Sequence, residues 1–342
     1  MDSNSLKKAL LLMLLIVTIA LVSWEIRLRK IGVQPTFDMG KVLWSDKRSM
    51  VYEPQDKATV FIGSSRIHFD LDIPTWQTIT GNKVVQLSID GSSPMPVLTN
   101  LADDPDFKGN LIVDITEGLF FSTSPFNMEE PNNGIKYYKD RTYAQRASFE
   151  INKVLESRLA FLDKENFSMN AYLAELHLKN RPKVFEMPIW PWQFSGASFE
   201  NQAIMYTSFV SDTNLQIKVR NIWAMFAKME EKTIPMHGKQ LDSFVNVVKV
   251  SVDKIKARGG NVFFTRTPSS GPYLMGEQMG FPRDKYYERV LASTGCQGMH
   301  FQDYAPTKNM QCPEWSHLDQ AQAIIFTKEL IRVLREEKGW KL

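Results

Sequence analysis

The stretch from Val60 to Asp70 reads VFIGSSRIHFD, in which a short apolar run ends abruptly in Gly-Ser-Ser-Arg. The run, ATVFIG at 58–63, is continuous rather than alternating, which is typical of a parallel strand covered on both faces. Two similar runs follow, KVVQLSI at 83–89 and NLIVDI at 110–115. Segments that fit short helices separate these runs. Because strand and helix alternate, the pattern predicts an α/β unit built on a parallel sheet.

The α/β pattern is interrupted over residues 122–236, a segment rich in Asn, Lys and aromatic residues. Its helical stretches predict a largely helical insertion or lid. Within it, Trp190 and Trp192 lie among prolines in FEMPIWPWQFSGASF at 185–199, which indicates a stiff aromatic loop. Such a loop fits three uses, namely stacking on sugars, touching a bilayer, or packing inside the protein.

The α/β pattern then resumes. Strand-like runs recur as NVFFT at 261–265 and MHFQDY at 299–304. An amphipathic helix precedes them, and a final helix follows them with Asp319 as a candidate N-cap. We therefore expect one α/β domain assembled from residues 58–121 and 237–338.

The N-terminal residues 1–30 contain an uncharged run, ALLLMLLIVTIALVSW, flanked by basic residues. This pattern predicts an uncleaved transmembrane anchor, with residues 31–57 as a stalk. A cleaved signal peptide is the alternative, but Val22-Ser23-Trp24 is a poor cleavage site. Since a short N-terminal tail usually stays inside, we expect a single-pass protein of the inner (cytoplasmic) membrane with its folded domain on the periplasmic, extracytoplasmic side.

Charge and cysteine content bear on which ligands and cross-links the protein is expected to have. The formal net charge is only +3 and the Lys and Arg residues are scattered, so nothing predicts nucleic-acid binding. No CxxC motif or His/Cys cluster predicts a metal, and no cofactor is implied. Cys296 and Cys312 bracket a short loop and predict a disulfide in an oxidising compartment. Two separate reduced thiols are the alternative.

Polar residues that suit acyl transfer follow the predicted strands. Ser65 follows the first strand, Gly91 the second, and His317 immediately precedes the last helix. Because strand ends of a parallel sheet share one edge, these residues are expected on one rim. Serine needs a base such as histidine to act as a nucleophile, and a carboxylate to orient that base. Glu314, three residues before His317, can fold back to supply it, and the Ser65 and Gly91 amides are candidate oxyanion donors.

Several residues of the predicted rim carry more than one interpretation. Arg66, Glu117 and Arg266 are candidate substrate-binding residues, and structural pairing is the alternative for them. His68 is a rival base. However, it follows Ser65 by three residues, and this spacing places the two side chains on the same face of a helix rather than opposite each other. The Gly-Ser-Ser turn itself also fits an ordinary helix cap. The remaining histidines, His177, His237 and His300, are expected to be surface or core residues.

The ordered set resembles the SGNH (GDSL-like) hydrolase superfamily. That family has a Gly-Asp-Ser motif after the first strand, a Gly after the second, an Asn after the third, and Asp-x-x-His before the last helix. Here Gly63-Ser64-Ser65, Gly91 and the stretch Glu314-Trp315-Ser316-His317 take the first, second and last places. Glu replaces Asp, and Thr116 or Glu117 stands where the family has Asn. "GSSR" and "SHLD" look like the membrane-anchored branch of DltD-like and alginate-type O-acetylation proteins.

This resemblance implies a flavodoxin-like three-layer α/β sandwich. It also implies a serine esterase or O-acyltransferase that uses Ser65 as nucleophile, His317 as base and Glu314 as orienting acid. The substrate would be a cell-envelope polysaccharide or glycan, and the partner a membrane-bound O-acyltransferase. The alternative is a non-catalytic scaffold of an envelope modification complex, which the missing Asn and the large insertion favour.

Overall fold

The computed structural model describes residues 3–174, 176, 188–230 and 234–342. Residues 175, 177–187 and 231–233 of the predicted insertion lie outside the described residues. They include His177 and the first three residues of the loop at 185–199. The strands are β1 (Ala58–Ile62), β2 (Lys83–Gln86), β3 (Asn110–Asp114), β4 (Gly196–Ala197), β5 (Ala203–Ile204), β6 (Asn261–Arg266) and β7 (Gln297–His300). The α-helices are α1 (Ser3–Lys30), α2 (Lys41–Arg48), α3 (Ser65–Asp70), α4 (Ile73–Thr80), α5 (Met95–Asp103), α6 (Glu117–Phe120), α7 (Pro125–Asp140), α8 (Tyr143–Glu156), α9 (Lys164–Phe167), α10 (Met169–Ala174), α11 (Thr207–Ser211), α12 (Thr213–Glu230), α13 (Gly238–Ala257), α14 (Gly271–Gly280), α15 (Tyr287–Thr294) and α16 (Gln320–Arg332).

Five strands form one parallel sheet in the order β2-β1-β3-β6-β7. The predicted mixed α/β fold with a parallel sheet is confirmed. The strand order reverses between β1 and β3, so the connections after these two strands leave in opposite directions. At such a point a crevice opens at the carboxyl edge of the sheet. The residues that follow β1 and β3 therefore lie at this edge of the sheet.

Both faces of the sheet are buried, which explains why the strand sequences are continuously apolar. Successive side chains of β1 alternate between two core clusters: Val60 and Ile62 pack on one face and Phe61 on the other. The same alternation divides Val113 from Ile112 in β3. Helices α5 and α13 supply the first cluster, and α16 supplies much of the second.

The segment before β1 is not a simple stalk. Its α2 packs against α7, and Trp44 lies 1% exposed in the first core cluster. The Trp44 indole N–H donates to the carbonyl of Leu87 at 3.0 Å. The stalk prediction for 31–57 is therefore wrong from Met39 onward, because an amphipathic helix buries its aromatic side in the α/β core.

The chain divides into two compact units. One contains Met1–Asp38 and Tyr143–Ile189, and the other contains Met39–Thr142 and Trp190–Leu342. The predicted insertion at 122–236 is thus not a single body, since α7 and the described residues from Trp190 to α12 belong to the unit with the sheet. In the first unit, α1 is long and apolar enough to cross a membrane.

The two cysteines correct another prediction. Cys296 and Cys312 are free thiols rather than a disulfide. Cys296 packs against the first core cluster, whereas Cys312 is buried in the second. Because these clusters cover opposite faces of the sheet, the thiols cannot approach each other despite their closeness in sequence.

Candidate active site

The centre of the site is a hydrogen bond between Ser65 and His317. Ser65 is the first residue of α3, immediately beyond β1, and His317 lies just before α16. The Ser65 Oγ and His317 Nε2 atoms are 2.8 Å apart, although the residues are 252 positions apart in sequence. Ser65 is half-buried, whereas His317 is only 1% exposed. This distance allows an imidazole to take the hydroxyl proton directly.

Glu314 is joined to the other side of the His317 ring. Its Oε1 lies 3.0 Å from His317 Nδ1 and also accepts the backbone N–H groups of Ser316 and His317, at 3.3 and 2.6 Å. The carboxylate is completely buried. A carboxylate in this position selects the tautomer with the proton on Nδ1, which leaves Nε2 as the acceptor facing Ser65. The three residues thus form a Ser-His-Glu arrangement.

The loop that folds Glu314 back is held in an unusual conformation. Trp315 has φ +80°, in the left-handed region that residues other than glycine rarely adopt. Its carbonyl accepts the N–H of Ser270 at 2.9 Å, and its own N–H donates to the carbonyl of Cys312 at 3.1 Å. A Cβ on Gly271 would lie 2.9 Å from the Trp315 ring, so only glycine leaves room for it. Such strain persists where the surroundings enforce it, often at functional sites.

Aromatic rings enclose the histidine. The centroids of Phe69, Phe194 and Trp223 lie 4.6, 5.8 and 5.9 Å from that of His317. Phe194 and Trp223 come from the segment predicted to be an insertion, and sequence reasoning did not connect them with the site. No local signal could have done so, since their relation to His317 depends on long-range packing. The cover makes the surroundings of the base apolar.

The turn between β1 and α3 explains why Gly63 precedes the serines. A Cβ at Gly63 would lie 2.5 Å from Ile67 and 2.8 Å from Asp114, so any side chain would displace the helix that carries Ser65. Ser64 itself is directed away from the site, since it is 1% exposed and its hydroxyl donates to Thr116 at 2.9 Å.

At the third strand end, the Thr116 hydroxyl is engaged within the protein. The Thr116 hydroxyl donates to Asp114 at 2.8 Å while accepting from Ser64. Burial raises the pKa of Asp114, although its hydrogen bonds from Thr116 and Thr267 work against this. The Thr116 hydroxyl is therefore not available as the donor that an asparagine supplies in SGNH hydrolases.

The loop after β2 carries Gly91, which is exposed and has φ +63°. This left-handed conformation favours glycine. The N–H of Ile89 reaches the carbonyl of Gly63 at 3.4 Å and ties the loop to the end of β1. Asn127, which sequence reasoning missed, donates its side-chain amide to the Gly91 carbonyl at 2.8 Å and so fixes that peptide.

The predicted substrate-binding residues are buried with one another. Arg266 pairs with Glu117 at 3.2 Å, and both Arg66 and Arg266 pair with Glu277 on α14. Arg66 and Arg266 are 0% and 2% exposed. Burial opposes ionisation of Glu277, but the two guanidinium groups outweigh it and hold its pKa well below the usual range. These contacts favour structural pairing, with Glu277 as the partner of Arg66.

His68, the rival base, is directed elsewhere. Its Nδ1 lies 2.7 Å from the carboxylate of Asp90, and Ser65 is hydrogen-bonded to His317 instead. His237, expected to be a surface or core residue, is exposed. His300 is buried outside the site, and burial together with Arg266 lowers its pKa to about 3.

A cavity of about 540 Å³ lies away from this chemistry. It is lined by residues of α5, α7 and α13, including Met95, Met128 and Phe244. Neither Ser65 nor His317 contributes to its lining.

Comparison of the chain with protein-family models and with curated proteins gives no match.

Proposed function

We propose that this protein is a membrane-anchored serine esterase or O-acyltransferase of the SGNH type that acts on a cell-envelope polysaccharide or glycan. The observation that carries the proposal is the hydrogen bond of 2.8 Å between Ser65 Oγ and His317 Nε2, with Glu314 on the far side of the ring. The five-stranded sheet with strand order β2-β1-β3-β6-β7 fits a flavodoxin-like three-layer sandwich.

The reaction would proceed in two steps. Ser65 Oγ attacks the ester carbonyl while His317 Nε2 takes its proton, and Glu314 stabilises the resulting imidazolium. The tetrahedral intermediate collapses, the C–O bond to the leaving alcohol breaks, and His317 returns the proton to that alcohol. An acceptor hydroxyl, or water, then gives its proton to His317 and attacks the acyl-serine. Collapse of the second intermediate returns the proton to Ser65.

The oxyanion would be bound by backbone N–H groups. Ser65 is the first residue of α3, and the first-turn amides of a helix have no acceptor within the helix. The Gly91 amide is the second proposed donor, in the loop that Asn127 holds through the Gly91 carbonyl. Each such donor typically contributes a few kcal/mol to transition-state stabilisation.

The anchor and the chemistry suggest the setting. If α1 spans the cytoplasmic membrane, the α/β unit on the periplasmic side would meet envelope glycans there. An acyl donor has to be delivered across that membrane, and a membrane-bound O-acyltransferase is the partner we propose for this step. Neither metal nor organic cofactor is needed for the reaction written above.

Labelling with a fluorophosphonate, which forms a covalent bond with an activated serine, tests the proposal. We expect wild-type protein to be labelled at Ser65 and the Ser65→Ala variant to lose labelling and at least about 10³-fold of its ester turnover. Ser64→Ala is the matched control, because it removes the neighbouring hydroxyl and should keep the labelling. Absence of labelling in wild type, with unchanged envelope acylation in Ser65→Ala, would overturn the proposal and favour the scaffold alternative.

A further inference from the structure

The second carboxylate oxygen of Glu314 has a partner of its own. The Trp223 indole N–H donates to Glu314 Oε2, whereas Oε1 takes the bonds from Ser316 and His317. Within the described part of the chain, no other hydrogen bond reaches Oε2. Since Glu314 is completely buried, an unpartnered Oε2 would carry the cost of a desolvated charge.

The helix that carries Trp223 is docked on the same loop by a second contact. Arg220 Nε donates to the carbonyl of Pro313 at 3.0 Å, and its guanidinium lies 5.6 Å from the Trp315 ring. Residues three apart lie on one face of a helix, so Arg220 and Trp223 hold adjacent points of the loop. Val219, on the same helix, is fully buried. Helix α12 is thereby fixed against the residues that support His317.

Resting on the proposed function, we propose that Trp223 is a positioning residue of the Ser65–His317–Glu314 site. Its N–H holds the carboxylate of Glu314 in the orientation that aligns His317 with Ser65, and its ring covers the imidazole. Helix α12, which sequence analysis assigned to an insertion, is then a working part of the site.

The variant Trp223→Phe tests this, since it keeps an aromatic ring and removes the donor. We expect the rate at which a fluorophosphonate phosphonylates Ser65, with loss of fluoride, to fall about tenfold or more, the scale of a lost hydrogen bond to a charged group. Because this hydrogen bond acts on the carboxylate that supports the base, the acidic limb of the pH–rate profile should also move relative to wild type. A residue that only packs would leave this limb unchanged.

Two comparisons keep the test decisive. Trp190→Phe is the matched control, because the ring centroid of Trp190 lies 4.9 Å from that of Trp223. This variant should keep the wild-type rate and pH–rate profile. In a Glu314→Gln background, Trp223→Phe should have little further effect, because the tryptophan acts through that carboxylate. Urea unfolding of each variant separates loss of folding from loss of alignment.

The outcomes are distinguishable. If wild type does not react at Ser65, the proposed function fails and the role of Trp223 fails with it. If wild type reacts, and Trp223→Phe reacts at the same rate with the same pH profile, only the role of Trp223 is overturned. An equal and additive loss from Trp223→Phe in both backgrounds would also overturn it.

Discussion

At the scale of single residues, two buried carboxyl groups, those of Glu314 and Asp70, hold His317 and the residue that follows it. Glu314 is paired on both oxygens and orients His317. Asp70 lies at the end of α3 and accepts the N–H of Leu318, the residue after His317, at 2.9 Å. Its second oxygen, Oδ2, is buried without a hydrogen-bond partner in the described part of the chain. Burial, reinforced by the nearby Asp114, raises the pKa of Asp70 well above its ordinary value.

This raised pKa gives a prediction for stability against pH. A carboxyl group whose pKa is higher in the folded state contributes stability below its unfolded pKa, and that stability is lost as pH rises through the folded pKa. The variant Asp70→Asn keeps an acceptor for Leu318 and cannot ionise. We therefore expect the free energy of unfolding of Asp70→Asn to rise relative to that of wild type as pH increases. The relative change is about 1.4 kcal/mol for each pH unit between the unfolded and the folded pKa of Asp70.

Urea unfolding of both proteins at pH 5, 7 and 9 measures this difference. Asp70→Leu serves as the control. Unlike Asp70→Asn, it removes the acceptor for the Leu318 N–H as well as the charge, so it should be less stable than Asp70→Asn at every pH. A constant difference between Asp70→Asn and wild type across this range would contradict the raised pKa.

At the scale of elements, buried charges join the pieces that surround the strand ends. Glu277 of α14 pairs with Arg66 of α3 and with Arg266 at the end of β6. Glu117, the first residue of α6, completes the group through Arg266. The network fixes the start of α3, and with it Ser65, relative to the edge of the sheet.

We expect Glu277→Gln to lower the free energy of unfolding by roughly 3–5 kcal/mol, because both guanidinium groups lose a shared carboxylate in a buried site. Since the pKa of Glu277 is lowered on folding, its contribution is present above the unfolded pKa and is lost as pH falls through the folded value. The two proteins should therefore converge in stability toward low pH.

The control for this substitution is Glu53→Gln. Glu53 pairs with Lys83 at 3.3 Å on the surface, where the two side chains are 38% and 66% exposed. Its loss should cost less than about 1 kcal/mol. Equal effects of the two substitutions at neutral pH would show that the buried network contributes no more than a surface pair.

At the scale of the whole molecule, α1 is distinguished by the apolar side chains that it exposes. None of its apolar window is buried within the protein, and large side chains such as Leu11 and Leu15 are 66% and 56% exposed. Exposed apolar surface of this extent is stable in a bilayer and not in water.

We expect full-length protein to stay with membranes after a high-salt wash and a variant lacking residues 1–23 to be released. The mass of the membrane-extracted protein separates an uncleaved anchor, which keeps these residues, from a signal peptide, which loses them. Release of full-length protein by salt alone would contradict membrane spanning.

Much of the fold follows from local patterns. Continuous apolar runs predict β1, β2, β3 and β6 because burial on both faces of a sheet leaves no polar positions. The last predicted strand, 299–304, is displaced: β7 is Gln297–His300, and a short 3-10 turn over Phe301–Asp303 follows it. The boundaries of an edge strand depend on its partner rather than on its own sequence.

The candidate site divides in the same way. Sequence order and strand-end placement identify Ser65, Glu314 and His317, and the three-residue spacing of the last two already allows them to meet. The distance of 2.8 Å between Ser65 and His317, and the bond from Trp223 to Glu314, come only from the tertiary structure. The sequence held no signal for Trp223, because a helix pattern states which face is apolar and not what that face contacts.

The sequence by itself thus determined the strands, the glycine turn before Ser65, the identities of the candidate reacting groups and the apolar N-terminal helix, because each depends on neighbours along the chain. Only the tertiary structure decided that Arg66 and Arg266 are buried with Glu277, that Trp44 joins the core, and that the two cysteines lie on opposite faces. These relations join segments distant in sequence. Their geometry is set by how helices and sheet pack together, which no local period records.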